Sequence, residues 1–330
     1  MYDVISWCFA GHKSEFDKIG RYVRLQDGQS DVFIVCENNG IRGFINSCPH
    51  RGFKLVNDNE GFWSNICGYH GIEFDKGRPI NLIQLGFTEK SEKKLCLEEI
   101  DIEFCGEFIF YKTKDTILPS LKNSLSGLYD YFKEVSFLID TKINDDSYDY
   151  DCSLPTAVEN ALDPLHLHLV HPETLNTLDL GDEKINEYES GLLFDHEIRN
   201  KRHFVGLNHL SKDLQGNGHQ SYRSGYFFPY FFISSTFGLS YSIQTLYPKS
   251  QYVTLFRSRL YSAKLKDKKN EKTYKKFLDS TKILNQKVFI EDKEVCDRVN
   301  HTAFHIKGPV SDREKKVKWF RRKFKGVYDK

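Results

Sequence analysis

An excess of charge of either sign is missing: 47 lysines and arginines stand against 46 aspartates and glutamates, a formal net charge of +1. Without a basic field there is nothing to gather nucleic acid or an anionic membrane, so neither is an expected partner. An uninterrupted apolar h-region is missing too, because Asp3, His12, Lys13, Glu15 and Asp17 break up the first residues. No secretory signal is expected, and the chain is expected in the cytoplasm. There is no G-x-G-x-x-G nucleotide loop and no internal repeat. Charge is also absent from Ser224 to Pro248, a stretch long enough to cross a bilayer. Pro229 and several Ser and Thr interrupt it, and Phe237, Leu239, Tyr241 and Ile243 alternate with Gly238, Ser240, Ser242 and Gln244, which is the period of a strand.

What is present suits two globular domains: 330 residues, 39% of them hydrophobic. The first hundred or so residues read as all-β. Asp31–Cys36 and Ile41–Asn46 flank the turn sequence Asn38-Asn39-Gly40, a second hairpin is expected at Asp75-Lys76-Gly77, and Leu95 to Tyr111 has the composition of further strands. Thr113 to Gly127, with Pro119, three serines and Gly127, reads as a linker, which puts the domains at 1–115 and 116–330. The second domain mixes types: a helical stretch near Gly127 to Val135, a strand pair around Phe237 to Tyr261 turning at Pro248-Lys249-Ser250, and a long amphipathic helix from about Lys269 to Val299. Asp195 to Arg223, polar and Gly-containing, reads as a loop or lid.

Eight cysteines scattered through a chain with no secretory signal point to thiol or metal chemistry rather than a disulfide framework. Two of them carry the case. Cys48-Pro49-His50-Arg51-Gly52 is followed by Cys67-Gly68-Tyr69-His70-Gly71, a C-x-H and a C-x-x-H separated by sixteen residues. A [2Fe–2S] centre with two thiolates on one iron and two imidazoles on the other needs a Cys and a His side by side on each of two loops. A zinc site is the alternative, but zinc fingers pair Cys with Cys at one end and His with His at the other.

Further on, Glu159, Asp163, His166 and His171 form E-x3-D-x2-H-x4-H. Two imidazoles and one carboxylate on a single face of an iron leave positions for O2 and substrate. His168, between them, reads as an ordinary histidine.

At these two motifs the chain resembles the Rieske non-haem iron oxygenases, specifically their oxygenase (alpha) component. The C-P-H-R-G and C-x-Y-H-G loops match residue for residue. Phe53 and Tyr69 stand where respiratory Rieske proteins add a cysteine to each loop, so the resemblance is to the oxygenase and ferredoxin branch; Ile72 departs from the usual Trp. The resemblance implies an α+β chain: an N-terminal all-β Rieske domain, then a helix-grip-like catalytic domain with a central antiparallel sheet. It implies Cys48, His50, Cys67 and His70 around the [2Fe–2S] cluster, and one mononuclear Fe(II) on His166 and His171. Its third ligand would come from the C-terminal helix, with Asp292 the choice and Glu291 the second, and Asp163 would link a cluster histidine to an iron histidine. It further implies a ring, usually a trimer, in which His70 of one chain approaches Asp163 of the next. Electrons would come from a separate reductase or ferredoxin, there being no second ferredoxin-type Cys set here.

The implied activity is that of a terminal oxygenase component using O2 to monohydroxylate or O-/N-demethylate a small organic substrate, with aromatic-ring dihydroxylation as the alternative. A Rieske electron carrier without catalysis is the rival of another class, and it leaves the second motif unexplained. Two weaker signals remain. The aromatic run Tyr226 to Phe232, with Phe237, Tyr241 and Tyr247, reads mostly as core with some rings left for an apolar substrate pocket. The basic tail Lys307 to Lys330 reads as a solvated terminal helix, or else as a docking surface for an acidic electron-transfer partner.

Overall fold

The computed structural model describes residues 6–26, 30–114, 116–216, 218–299 and 308–328. The chain divides into two compact units, Ile5–Ser124 and Leu125–Lys330.

The first unit is built from short antiparallel strands. β1 (Cys8–His12), β2 (Arg21–Gln26), β3 (Asp31–Glu37), β4 (Gly40–Ile45), β5 (Glu60–Phe62), β6 (Phe74–Asp75) and β7 (Arg78–Pro79) precede a helical turn, α1 (Glu92–Leu95). β8 (Asp101–Cys105) and β9 (Phe108–Lys112) follow, and then α2 (Leu121–Leu125), a helical turn inside the stretch expected to be plain linker. The sheets run β4-β3-β2-β5, β1-β9-β8 and β6-β7. The hairpin at Asn38-Asn39-Gly40 joins β3 to β4, with Glu37 opposite Gly40. Lys76 and Gly77 both take positive φ in the turn between β6 and β7. Phe33, Phe44, Trp63 and Phe74 pack as the centre of this unit, with Phe33 edge-on to Trp63 at 4.9 Å.

The second unit starts with α3 (Tyr129–Leu138) and holds a seven-stranded antiparallel sheet. Its strands are β10 (Ile139–Tyr150), β11 (Leu180–Glu187), β12 (Gly191–Ile198), β13 (Tyr222–Phe227), β14 (Phe231–Thr236), β15 (Ser240–Pro248) and β16 (Thr254–Ala263), in the order β10-β16-β15-β14-β13-β12-β11. α4 (Leu154–Leu162) and α5 (Leu167–Val170) lie between β10 and β11, α6 (Lys201–Ser211) between β12 and β13, and α7 (Glu271–Cys296) and α8 (Lys315–Tyr328) end the chain. Side chains alternate across a strand. On one face Phe231 packs on Phe132 of α3 at 5.2 Å, while on the other Phe256 meets Phe289 of α7 at 4.8 Å. No helix among the described residues is long and apolar enough to cross a membrane.

Two expectations are overturned. Asp195 to Arg223 is not a lid: β12 runs to Ile198 with Leu192, Phe194, His196 and Ile198 buried, and Asn200 caps α6 by accepting from the amides of Arg202 and His203. Polar residues there hid a strand of period two and a short helix that buries only Leu207 and Leu210. The basic tail is not a solvated helix either. Val317, Trp319, Phe320 and Phe324 of α8 are buried, Lys316 is buried against Glu183, and Arg321 forks onto Glu159. These acids lie more than 130 residues upstream, so no local pattern announces them. Lys307 and Lys330, the ends of that tail, lie outside the described residues.

Candidate metal centres

The two cysteine loops of the first unit have one shape. The Cys48 amide donates to the Phe53 carbonyl and the Gly52 amide to the Cys48 carbonyl, both at 2.8 Å; the Cys67 amide donates to Ile72 at 2.8 Å and the Gly71 amide to Cys67 at 3.0 Å. Closing either turn requires a positive φ at its fifth residue, +69° at Gly52 and +71° at Gly71, which glycine adopts without strain. Asn46 anchors the first loop, accepting from the Leu55 and Val56 amides and donating to the Val56 carbonyl. The paired turns bring the side chains together two by two. The thiols of Cys48 and Cys67 are buried and in contact, and the rings of His50 and His70 are 4.6 Å apart. Burial, and then the neighbouring Cys67 thiol, push Cys48 up to about 11. His50 keeps a buried Nδ1 with no protein partner. Two crowded thiols that resist ionisation beside an orphaned imidazole nitrogen fit a cationic cluster that takes thiolates and a ring nitrogen. Phe53 and Tyr69, 5.5 Å apart, fill the space between the loops in place of a disulfide.

The second constellation is assembled from α4, α5 and α7. Ser153 caps α4, Asp163 ends it, and α5 then carries the chain from His166 to His171. Asp292 arrives from α7. His166, His171 and Asp292 each offer a ligand atom within 4.8 Å of the others: Nε2 to Nε2 is 3.2 Å, His171 Nε2 to Asp292 Oδ1 3.1 Å, and His166 Nε2 to the same oxygen 3.6 Å. Asp292 points at both histidines because α7 is rotated by its own packing: Val288 and Phe289 are buried, and the Tyr150 hydroxyl donates to the Phe289 carbonyl. Glu291, the second choice for the ligand, turns elsewhere. Its Oε2 accepts from Thr174 Oγ1 and lies 2.7 Å from His171 Nδ1. A carboxylate there orients the ring and raises its basicity.

Burial opposes charge on His166, but its contacts with Asp163 and Asp292 outweigh that and lift it to about 9. Burial likewise disfavours the Asp292 anion, yet the two histidines hold it down to about 2. Three donors and one negative charge, converging from two sides, fit a divalent cation with open positions. Asp163 lies 3.5 Å from His166 Nδ1, accepts from the Leu165 amide at 2.8 Å and is held below the usual carboxylate range.

Several partners were invisible in the linear pattern. Asn160 donates to Asp292 Oδ1 at 2.8 Å, and Glu159, the first acid of the motif, is spent on Arg321. His168 is exposed and hydrogen-bonds Asn176 at 3.0 Å. The aromatic run is mostly core, as Tyr226, Phe231 and Phe237 are fully buried, and Phe232 alone of its rings reaches the cavity at the three donors, which encloses about 110 Å³. Lys316, His196, Tyr222, Ser234 and Gln244 also line it.

Residues 6–85 match the Rieske [2Fe-2S] domain family. The chain is 35% identical over 88 residues to biphenyl 2,3-dioxygenase subunit alpha of Rhodococcus jostii, covering 26% of this chain and 19% of that one. It is 26% identical over 176 residues to the glycine betaine monooxygenase oxygenase subunit of Chromohalobacter salexigens, covering 52% and 39%. The matched stretches thus span well under half of those relatives' own length. Among solved structures, the quaternary ammonium Rieske monooxygenase CntA in complex with L-carnitine superposes with a TM-score of 0.75 at 14% identity, over 98% of this chain and 89% of that one. With its cysteine and histidine loops in the matched segment and its fold shared throughout, the chain carries a Rieske [2Fe–2S] domain and is a homologue of the alpha subunits of Rieske oxygenases.

Proposed function

We propose that this chain is the terminal oxygenase component of a multicomponent system, monohydroxylating or O-/N-demethylating a small organic substrate. In this reading Cys48, His50, Cys67 and His70 hold the cluster, and His166, His171 and Asp292 hold one Fe(II). The observation that carries it is the convergence of His166 and His171 with Asp292, 121 residues beyond His171, on one cavity. An electron carrier has no use for that triad. When bound, the iron supplies the reductive chemistry of O2, with electrons arriving through the cluster from a separate reductase or ferredoxin.

The protein's own groups position and tune. Glu291 accepts from His171 Nδ1 and fixes the ring, and Asn160 holds Asp292. Asp163, next to His166 Nδ1, serves as the carboxylate bridge to a cluster histidine of the neighbouring chain in a homotrimer. The test is an absorption and EPR spectrum with iron content, followed by oxygen uptake with a surrogate reductase on methoxyaromatics, quaternary amines and arenes. A cluster signal, additional iron and substrate-dependent uptake are expected; a cluster without additional iron would leave the carrier. Asp163→Asn should keep both metal centres and lose most coupled uptake, because an amide occupies the same space without the charge.

A further inference from the structure

The cavity at the three donors is small, and part of its wall is shared. A second chamber of about 310 Å³ adjoins it, sharing Leu175, Tyr222, Ser234, Gln244, Val288 and Phe289 as common lining. The chamber follows one stripe of α7. Phe277, Thr281, Leu284 and Val288 line it at helical spacing, and the next member of the same stripe is Asp292. At 1.5 Å of rise per residue, Thr281 to Asp292 spans roughly 16 Å, so the space extends well beyond the reach of a single ring at the metal.

Its lining mixes apolar and hydrogen-bonding groups. α7 and α6 contribute Phe277, Leu284 and Leu207 together with Ser280, Thr281, Asn285 and His203, and the even-numbered face of the sheet contributes Ser234, Ser240, Ser242 and Gln244. A sheet face buried under a long helix is ordinarily apolar. Here it carries a hydrogen-bonded set: Gln244 Nε2 donates to Ser242 Oγ at 3.1 Å, Ser242 and Ser258 pair at 3.1 Å, and Tyr222 bonds Ser224 and Ser234. Among the described residues, the lining of the chamber includes no aspartate, glutamate, lysine or arginine, and His203 is its one histidine. Moving a full charge there from water would cost far more than moving a hydroxyl or carbonyl that finds a partner. Lys316, the one lysine or arginine among the described residues that line the metal cavity, is already met by Glu183 and lies over the Phe194 ring at 4.3 Å.

We propose that the substrate is an elongated, uncharged molecule whose reacting end sits at His166, His171 and Asp292, and whose body lies along α7 with its apolar edge on Leu284 and its hydrogen-bonding groups on Gln244 and the serine hydroxyls. This rests on the oxygenase reading of the triad, and it sets the chain apart from an enzyme for quaternary ammonium compounds or carboxylates.

The test is calorimetric titration of the metal-loaded full chain with a methoxyphenyl-butanol and with its carboxylate and trimethylammonium counterparts. The alcohol should bind at least about tenfold more tightly than either charged probe. Leu284→Trp, which fills the chamber, should weaken the alcohol about tenfold or more, while Ile283→Trp, on the exposed side of the same helix, should leave it unchanged. Gln244→Leu should weaken the alcohol about fivefold to tenfold without weakening methoxyphenylbutane, which lacks the hydroxyl. If Leu284→Trp does not fold by circular dichroism, Thr281→Trp takes its place. Equal or tighter binding of a charged probe, wild-type affinity in the filled variant, or no binding by any probe would each overturn the proposal. The expected binding pattern with no oxygenated product would support the chamber and refute the oxygenase reading instead.

Discussion

Glu291 and Asp292 are neighbours on α7 that reach different nitrogens of His171, and their replacement tests the proposal that the first orients a ligand and the second is one. Glu291 Oε2 is 2.7 Å from His171 Nδ1 and 2.7 Å from Thr174 Oγ1, and His171 is fully buried. Removing the carboxylate leaves a buried N–H without its acceptor, a cost of about 1–3 kcal/mol, and frees the ring to turn. Partners of this kind typically contribute about tenfold to a hundredfold in metal affinity, or about 1.4–2.7 kcal/mol. Glutamine keeps an accepting oxygen but not the charge, so Glu291→Gln should fall near tenfold and Glu291→Ala near a hundredfold. Asp292→Asn removes the only anionic donor of the triad and should bring the mononuclear iron below detection. Anaerobic competition with a chromophoric Fe(II) chelator measures all three, with the cluster's absorption as the internal control for folding. Wild-type affinity in Glu291→Ala would refute the orienting role. Iron lost from Glu291→Gln but kept in Asp292→Asn would exchange the two assignments.

Other perturbations test other parts of the molecule. Cys48→Ser should abolish the cluster's EPR signal while the second unit still takes up its iron; a full cluster signal would defeat the assignment of that loop. Arg321→Ala removes a fork onto Glu159 with bonds of 2.6 and 2.7 Å, plus a bond to the Gly308 carbonyl. The pair is partly exposed, so about 1–2 kcal/mol of stability should go, read as a lower urea midpoint at unchanged slope, and an unshifted midpoint would mean α8 is held by its aromatic face alone. Burial, and then Arg223, lower His219 to about 4. The unfolded chain protonates this histidine near pH 6.5 and the folded one only near 4, so its contribution is complete above 6.5 and is lost as pH falls between them, on the order of 3 kcal/mol. His219→Gln should flatten that acid limb of the stability curve; an unchanged limb would place the titration elsewhere.

The two Cys/His turns and the spacing of His166 and His171 were legible in the linear chain because they are local. Cys48 to Gly52 and Cys67 to Gly71 close turns of five residues, and the glycines that end them are the residues tolerating φ near +70°. His166 and His171 lie one short helix apart, so their approach to one another also follows from spacing. Hairpins at Asn39-Gly40 and Lys76-Gly77 and the long helix of α7 were local in the same sense. The strand Ser240–Pro248 declared itself in part by the period of two from Phe237 to Gln244, and its pairing with Thr254–Ala263 by the turn at Pro248-Lys249-Ser250.

Beyond that, tertiary structure decided. Adjacent residues on a helix point about 100° apart. Composition therefore could not tell Asp292 from Glu291; the burial of Val288 and Phe289 and the hydroxyl of Tyr150 set the rotation that did. The polar segment after Asp195 hid a strand and a helix because its few apolar residues acquire meaning only against the neighbours that bury them. Lys316 and Arg321 read as solvated because their acids, Glu183 and Glu159, stand more than 130 residues away. Short-range spacing is set by covalent geometry and the few conformations open to each residue, so the sequence by itself determined the two Cys/His turns and the spacing of His166 and His171. Which distant carboxylate completes a site, which charge is neutralised, and how far a cavity runs from the metal depend on strand register and helix rotation, and these exist only once the core has packed.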